Sequence, residues 1–398
     1  MRPRDPNQSH RAVSPLELLT DLCFVVAVAQ AALGLHHAVS ENHVGQGVQG
    51  FAMAFFAIWW AWLNFTWFAS AYDNDDVIYR LLTIVQIFGS LVLAAGITEM
   101  FDGDFKLGVI GYLIMRFALV LQWLRAARHD RQRRVTCLRY AVGIVIIQVG
   151  WTMLLVFFDT MPVPLFVLLV VGELLVPIFA ERAGETPWHP YHIAERYGLF
   201  YIIVLGETIL SSTTAISQAF NDDQTATRGV FQVVVAGLLI VFSVWWIYFA
   251  RSSGDLLARI KEAGSAGDYM WGFGHYFIFA AAAAIGAGLA ARVDYWTHHS
   301  EVPGWVSAAA VTAPTAVLLT ALWLISLRQH DPSARTIVPF GAAVVLILLS
   351  TVTPWPEILA GLVCACLVAV EVRVAGFAGP AGLASPATPA SPASPADR

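Results

Sequence analysis

Apolar residues run along this chain in blocks of about 18 to 25, each long enough to cross roughly 30 Å of hydrocarbon as a helix rising 1.5 Å per residue. Short polar stretches separate them. The blocks fall near 16–38, 49–71, 78–99, 107–127, 137–158, 162–180, 191–215, 229–250, 270–291, 305–327, 336–353 and 355–374. The pattern predicts an all-α polytopic membrane protein with about twelve transmembrane helices. The last two blocks are short and joined by Thr353 and Pro354, so their boundary is the least defined.

Composition agrees with this pattern. Hydrophobic residues make up 58% of the 398 and charged residues 13%, whereas a soluble domain is about half apolar and a quarter charged. The formal net charge of −5, with basic residues scattered over short connections, excludes a nucleic-acid partner. Membrane lipid is the surrounding medium and a small solute the expected partner. Cys23, Cys137, Cys364 and Cys366 sit in apolar blocks without metal spacing, and read as small buried residues. No cleavable signal is visible before the first block, which itself serves for insertion.

With the N-terminus cytoplasmic, the inner segments hold Arg2, Arg4, Arg11, the run from Arg125 to Arg139, Arg251, Arg259, Lys261, Arg328 and Arg335. The outer ones hold Lys106, Arg228 and Arg292. The positive-inside rule then places both termini in the cytoplasm of a cell whose inner membrane the chain spans.

Four pairs of local matches recur in order. "FVVAVAQ" (24–30) parallels "YIIVLGE" (201–207), and "IWWAWLNF" (58–65) parallels "VWWIYFAR" (244–251). "WLRAARHD" (123–130) answers "WLISLRQHD" (323–331), and "PVP" (162–164) answers "PWP" (354–356). A duplicated unit of six spans has even parity, so both copies enter the membrane in the same direction. The expected plan is a cytoplasmic segment over 1–15, two parallel six-helix repeats over 16–180 and 191–374, a linker over 181–190, and a disordered Ala/Ser/Pro tail over 375–398.

Two of these segments carry a family resemblance. "SPLELLTDLCFVVAVAQ" (14–30) and "HIAERYGLFYIIVLGETIL" (192–210) resemble the two signature segments of the bacterial low-temperature-requirement A (LtrA) family, and the hydrophobic plan is similar to it from about residue 11 to 374. Leu19, Thr20 and Cys23 depart from the family's usual "ELFFDLVFV", while Glu17 and Asp21 stay. The resemblance implies a multi-pass inner-membrane protein linked by name to growth in the cold. It implies no reaction.

Polar residues inside the blocks are the candidate chemistry. Ser14-Pro15-Leu16-Glu17 reads as a capping box with proline at the first helical position, giving Glu17 a structural role. Asp21 lies one turn on along the same face. Glu195 follows His192 by three residues; the pair supplies two metal ligands at most, so a cap and a surface ion pair with Arg196 is the plainer reading and no metal is assigned. His36, His37 and His43 lie at the end of the first span opposite to His275 in the ninth, which excludes a bis-histidine haem; no cofactor is expected. Trp67 and Trp188 suit an interfacial belt. Trp59 and Trp245 lie deeper, as packing or as an aromatic wall facing a substrate.

Glu207 lies 17 residues past Pro190, roughly 25 Å along the helix, too deep to cap anything. Arg116 and Glu173 fall at a similar depth in spans four and six, and Gln30 near that level in span one. Ser211 and Thr214 continue the Glu207 stripe. Two acids and one base in hydrocarbon leave one carboxylate uncompensated, which suits proton- or cation-coupled transport. A secondary transporter of a small solute is therefore expected. The alternatives are a non-transporting sensor or assembly factor, and a lipid-modifying enzyme using Glu17, Asp21 and Glu195. No nucleotide, hydrolase or metalloprotease motif occurs, so enzymatic chemistry lacks support.

The charge bias yields a direct test. Single cysteines at Asn42 and Asp222 are expected to react with an impermeant thiol reagent added to intact cells, and one at Gln132 is not; labelling of Gln132 from outside would reverse the orientation.

Overall fold

The computed structural model describes residues 2–5, 8, 11–222, 227–263, 267–330 and 333–375. The expected tail over 375–398 falls outside them but for its first residue. Among the described residues there is no strand. Twelve long helices follow one another: α1 (Pro15–Ser40), α2 (Val44–Tyr72), α3 (Val77–Ala95), α4 (Lys106–His129), α5 (Arg134–Phe157), α6 (Val163–Glu181), α7 (Pro190–Asp222), α8 (Thr227–Phe249), α9 (Gly267–Trp296), α10 (Gly304–Leu322), α11 (Ala334–Ser350) and α12 (Pro356–Ala375). Among the described residues ten candidate spans are long and apolar enough to cross a membrane, while α11 is a shorter apolar helix and α12 is not among the ten.

Local signals set the helix ends. Ser14 accepts from the Glu17 amide while the Glu17 carboxylate accepts from the Ser14 amide at 2.8 Å, so α1 begins in a full capping box. Asp76 caps α3 through the Tyr79 amide and also takes two hydrogen bonds from the Arg125 guanidinium, at 2.9 and 2.6 Å, which pins the end of α4 to the start of α3. Beyond α10 the chain continues through one π-helical turn, Trp323–Leu327, to His330.

The twelve helices alternate in direction, so one face of the bundle holds the start of α1 and the end of α12. At this N-terminal face described residues before α1 fold back over the end of α2. The Arg4 amide donates to the Ala71 carbonyl at 2.9 Å, and the Arg11 guanidinium donates to the carbonyls of Ser70 and Ala69. The ring of His189 meets the Gln8 carbonyl at 2.8 Å. Burial pushes the nearby Asp73 carboxyl up to about 6 and lowers the His189 imidazole.

Helices α1 and α2 from the first six pack against α7 and α9 from the second six, which makes a central seam. At the opposite face the seam is tied by Asp294, which meets the His36 ring at 2.7 Å and accepts from the Ser40 hydroxyl at 2.7 Å. Two crossings are close enough to require glycine. A Cβ on Gly288 in α9 would lie 2.0 Å from the Ala310 carbonyl oxygen in α10, and one on Gly111 in α4 would lie 2.3 Å from the Leu93 amide nitrogen in α3. A Cβ on Gly206 would meet nothing within 4 Å.

Gly288→Ala and Gly111→Ala are therefore expected to lower stability by about 1–3 kcal/mol, because the obstructing atoms are backbone. Gly206→Ala is expected to be neutral or to stabilise by up to about 1 kcal/mol. Thermal unfolding of the three variants in detergent checks the order; equal effects would mean that the close crossings are not as described.

Candidate functional site

The seam carries a ladder of acids and bases. Glu17 and Asp21 lie four apart on α1, and His192 and Arg196 lie four apart on α7, so each pair occupies one face of its helix. Both helices start at the N-terminal face and run in parallel, so the two rungs meet in register. His192 Nε2 lies 3.2 Å from Glu17 Oε1 and 3.4 Å from Oε2, with the better-aligned contact to Oε2. Arg196 donates to Asp21 Oδ1 at 2.6 Å and to the Thr66 hydroxyl at 3.4 Å. Trp62 on α2 donates its indole N–H to the same Asp21 oxygen at 2.7 Å. Asp21, His192 and Arg196 are fully buried and Glu17 is 1% exposed.

This ladder corrects the sequence reading of Arg196 as a surface partner of Glu195. Glu195 faces outward, while Arg196 points into the seam. The signal was available: two acids and two bases, each spaced by four, occupy the two segments that carry the family resemblance. The ladder is not saturated, for Asp21 Oδ2, Arg196 Nε and Nη1, and His192 Nδ1 have no hydrogen-bond partner among the described residues. Each unmade buried hydrogen bond costs about 1–3 kcal/mol.

A second polar cluster lies wholly within the first six helices. Glu173 on α6 is 1% exposed and receives donors from three other helices. Tyr112 on α4 donates at 2.8 Å, Gln148 and Trp151 on α5 at 3.1 and 3.3 Å, and Trp60 on α2 at 3.0 Å. Arg116 on α4 reaches Glu173 directly at 3.5 Å and also through the Tyr112 hydroxyl, to which it donates at 2.5 Å. The void beside Tyr112 and Trp151 measures about 20 Å³, no more than one water-sized occupant. The cluster is a packing hub with no room for a solute.

The structure thus joins Arg116 with Glu173 and sets Glu207 apart. Glu207 on α7 is half-buried and accepts from the Ser211 hydroxyl at 2.9 Å. It makes no hydrogen bond to Arg116 or Glu173. Thr214 is exposed and donates to the Leu210 carbonyl at 3.0 Å, and Gln30 is half-buried on α1. Similar depth does not bring these side chains to one azimuth. Trp59 is 1% exposed and packs edge-on against Tyr276 and Phe273, whereas Trp245 is 38% exposed at the periphery. The two do not form one aromatic wall.

Sequence reasoning missed a cavity of about 360 Å³ between the two halves at the N-terminal face. Trp67, Trp123, Glu181, Glu185 and Trp188 line it from one side, and Lys261, Asp268, Tyr269 and Phe273 from the other. Trp67 and Trp188, expected in an interfacial belt, pack with tilted rings 5.0 Å apart in its wall, and Trp188 is 2% exposed. A larger crevice of about 790 Å³ lies toward the opposite face; Leu35, Phe51, Ala284 and Val317 among its walls suit acyl chains.

Removing one member of a buried pair strands its partner's charge, while removing both relieves it. Arg196→Ala is therefore expected to destabilise the protein by about 3–5 kcal/mol, and the double change Asp21→Leu with Arg196→Leu to cost less than the single one. Arg116→Ala is expected to be worse than Glu173→Gln for the same reason. Unfolding in detergent measures both comparisons; a double change as harmful as the two single changes added together would show that Asp21 and Arg196 do not act as a pair.

The family described as bacterial low temperature requirement A protein (LtrA) matches residues 12–372, and both seam segments fall inside the match. A relative from Rhizobium meliloti (strain 1021), the uncharacterized protein RA0937, is 29% identical over 285 residues, covering 68% of this chain and 67% of the relative. With ten candidate membrane spans and a family match that takes in nearly its whole length, this chain is a multi-pass membrane protein of the LtrA family.

Proposed function

We propose that this protein is a secondary transporter of a small solute, built as two parallel six-helix repeats in the inner membrane with both termini cytoplasmic. The observation that carries the proposal is the cavity of about 360 Å³ bounded by both halves, because sites at a repeat interface are where carriers of this plan hold their cargo. That step is an argument from architecture.

Packing order supports the repeat. Helix α1 packs on α2 and α3 as α7 packs on α8 and α9, and α3 packs on α4 as α9 packs on α10. The unsaturated ladder supports a seam that rearranges: a polar interface with unmade hydrogen bonds is poised between alternative pairings.

In this reading the polar residues divide their labour. Arg116 and Glu173, gripped from four helices, hold the first half rigid. Glu207, with Ser211 and the Gln30 level nearby, is the carboxylate left without a counter-charge in the hydrocarbon layer, and is assigned the coupling proton or cation. Thr214 extends its stripe. Asp21, Glu17, His192 and Arg196 form the gate between the halves.

The test is flux. In sealed proteoliposomes loaded with a pH-sensitive dye, solute addition is expected to move protons, and Glu207→Gln to remain folded while losing that movement. Proton movement that persists in Glu207→Gln would take the coupling role from Glu207. If no solute in a broad panel moves protons or accumulates with folded protein, the carrier reading fails and a non-transporting role replaces it.

A further inference from the structure

The chemistry of the cavity names a solute class. Three carboxylates line it, those of Glu181, Glu185 and Asp268, against the cations Lys261 and Arg182. Lys261 is already committed: its ammonium donates to the Trp188 carbonyl at 2.5 Å and sits 4.2 Å from the centre of the Trp188 ring. Among the described residues none of the three acids has an ion-pair partner. All three act electrostatically on Lys261, and so does Arg133, whose guanidinium donates to the Glu185 carbonyl at 2.9 Å, so these charges share one neighbourhood.

Glu181 has its own neutral partners, the Tyr140 hydroxyl and the Thr186 amide and hydroxyl, each at 2.8 Å. These donors fix the orientation of the carboxyl group. The remaining walls are aromatic. Trp67, Tyr269 and Phe273 line the cavity, and the lysine over Trp188 shows that such a ring here holds an ammonium. One further group stands unpaired: Trp123 lines the cavity, is 4% exposed, stacks on Tyr140 at 4.1 Å, and its indole N–H has no hydrogen-bond partner.

We propose that this cavity binds a small organic cation, an amine or a quaternary ammonium. Two of the nearby cations are already engaged, Lys261 by the Trp188 carbonyl and ring and Arg133 by the Glu185 carbonyl, which disfavours an anion. A bare metal ion is disfavoured because no three His, Cys, Asp or Glu side chains among the described residues converge closely enough to ligate one. A diffuse cation instead takes the aromatic faces and the long-range field of the acids together. The volume, about 360 Å³, lies at the lower end of ligand pockets, which run from about 300 to 1,000 Å³.

The proposal names the cargo of the site described under the carrier reading, but binding can be read without transport. Choline is the probe, titrated calorimetrically into the full chain in nanodiscs, with the uncharged isostere 3,3-dimethyl-1-butanol and with acetate as controls. Saturable choline binding is expected, with the isostere at least about tenfold weaker and acetate silent. Glu185→Gln combined with Asp268→Asn is expected to weaken choline about tenfold, while Glu262→Gln, outside the cavity, leaves it unchanged. Glu185 is exposed, so Glu185→Lys serves as a second variant if the double change misfolds, and it too is expected to weaken binding. No saturable choline binding, equal binding of the isostere, or variants that bind like the parent would overturn the cation site. Binding without solute-driven proton flux would leave the site standing and refute the carrier.

Discussion

The parallel contact of α1 with α7 is the constraint on which the rest of this molecule depends. Within lipid there is little hydrophobic force to bring two apolar helices together, so polar contacts and close packing decide which faces meet. Here two acids on one helix meet two bases on the other at the same four-residue spacing, with Asp21 and Arg196 at 2.6 Å. A slip of one residue along either helix would rotate its charges about 100° away from the partner and strand them in a low-dielectric interior. The ladder therefore selects one register and one pairing of the two halves, whatever its net contribution to stability.

The other buried charges are arranged differently, and the contrast carries the functional argument. Glu173 is satisfied by donors from α2, α4 and α5, all within one half, and Arg292 meets Glu357 at 3.2 Å within the other. Those contacts stiffen each half internally. The contacts that cross between halves run the length of the seam, from the ladder of Glu17 and Asp21 through the Tyr276 hydroxyl on the Ala52 carbonyl to Asp294, and unused donors and acceptors remain both in the ladder and on Arg116. In the proposed carrier reading, the two halves on either side of this polar seam and its cavity are the bodies that would move in alternating access.

Much of the fold was legible in the sequence. Twelve apolar blocks became twelve helices within a few residues, because length and hydropathy alone decide what crosses a bilayer, and the Ser14 to Glu17 signature became a real capping box. The arrangement of the site was not legible in the same way. In lipid both the outward and the inward faces of a helix are apolar, so periodicity gives depth but no azimuth. Glu207, Glu173 and Arg116 share a depth, yet only the last two share an interface. Trp59 and Trp245 occupy matching motifs but differ from 1% to 38% exposure, because repeat position does not fix which neighbour a side chain finds. The pairing of Asp21 with Arg196 spans 175 residues of sequence and could be read only by comparing charge spacing on two different helices.

The central claim is that the halves move against each other about this seam. Arg182 lines the cavity, Glu262 follows the lining residue Lys261, both are exposed, and pulsed electron resonance measures the distance between spin labels placed on them in nanodiscs. The account predicts two distance populations whose proportions shift with pH or with a bound organic cation, and a shift toward one of them when Arg196 is replaced. A single narrow distance, unmoved by pH, cation or the Arg196 substitution, would contradict it and leave a rigid bundle whose buried charges only pack.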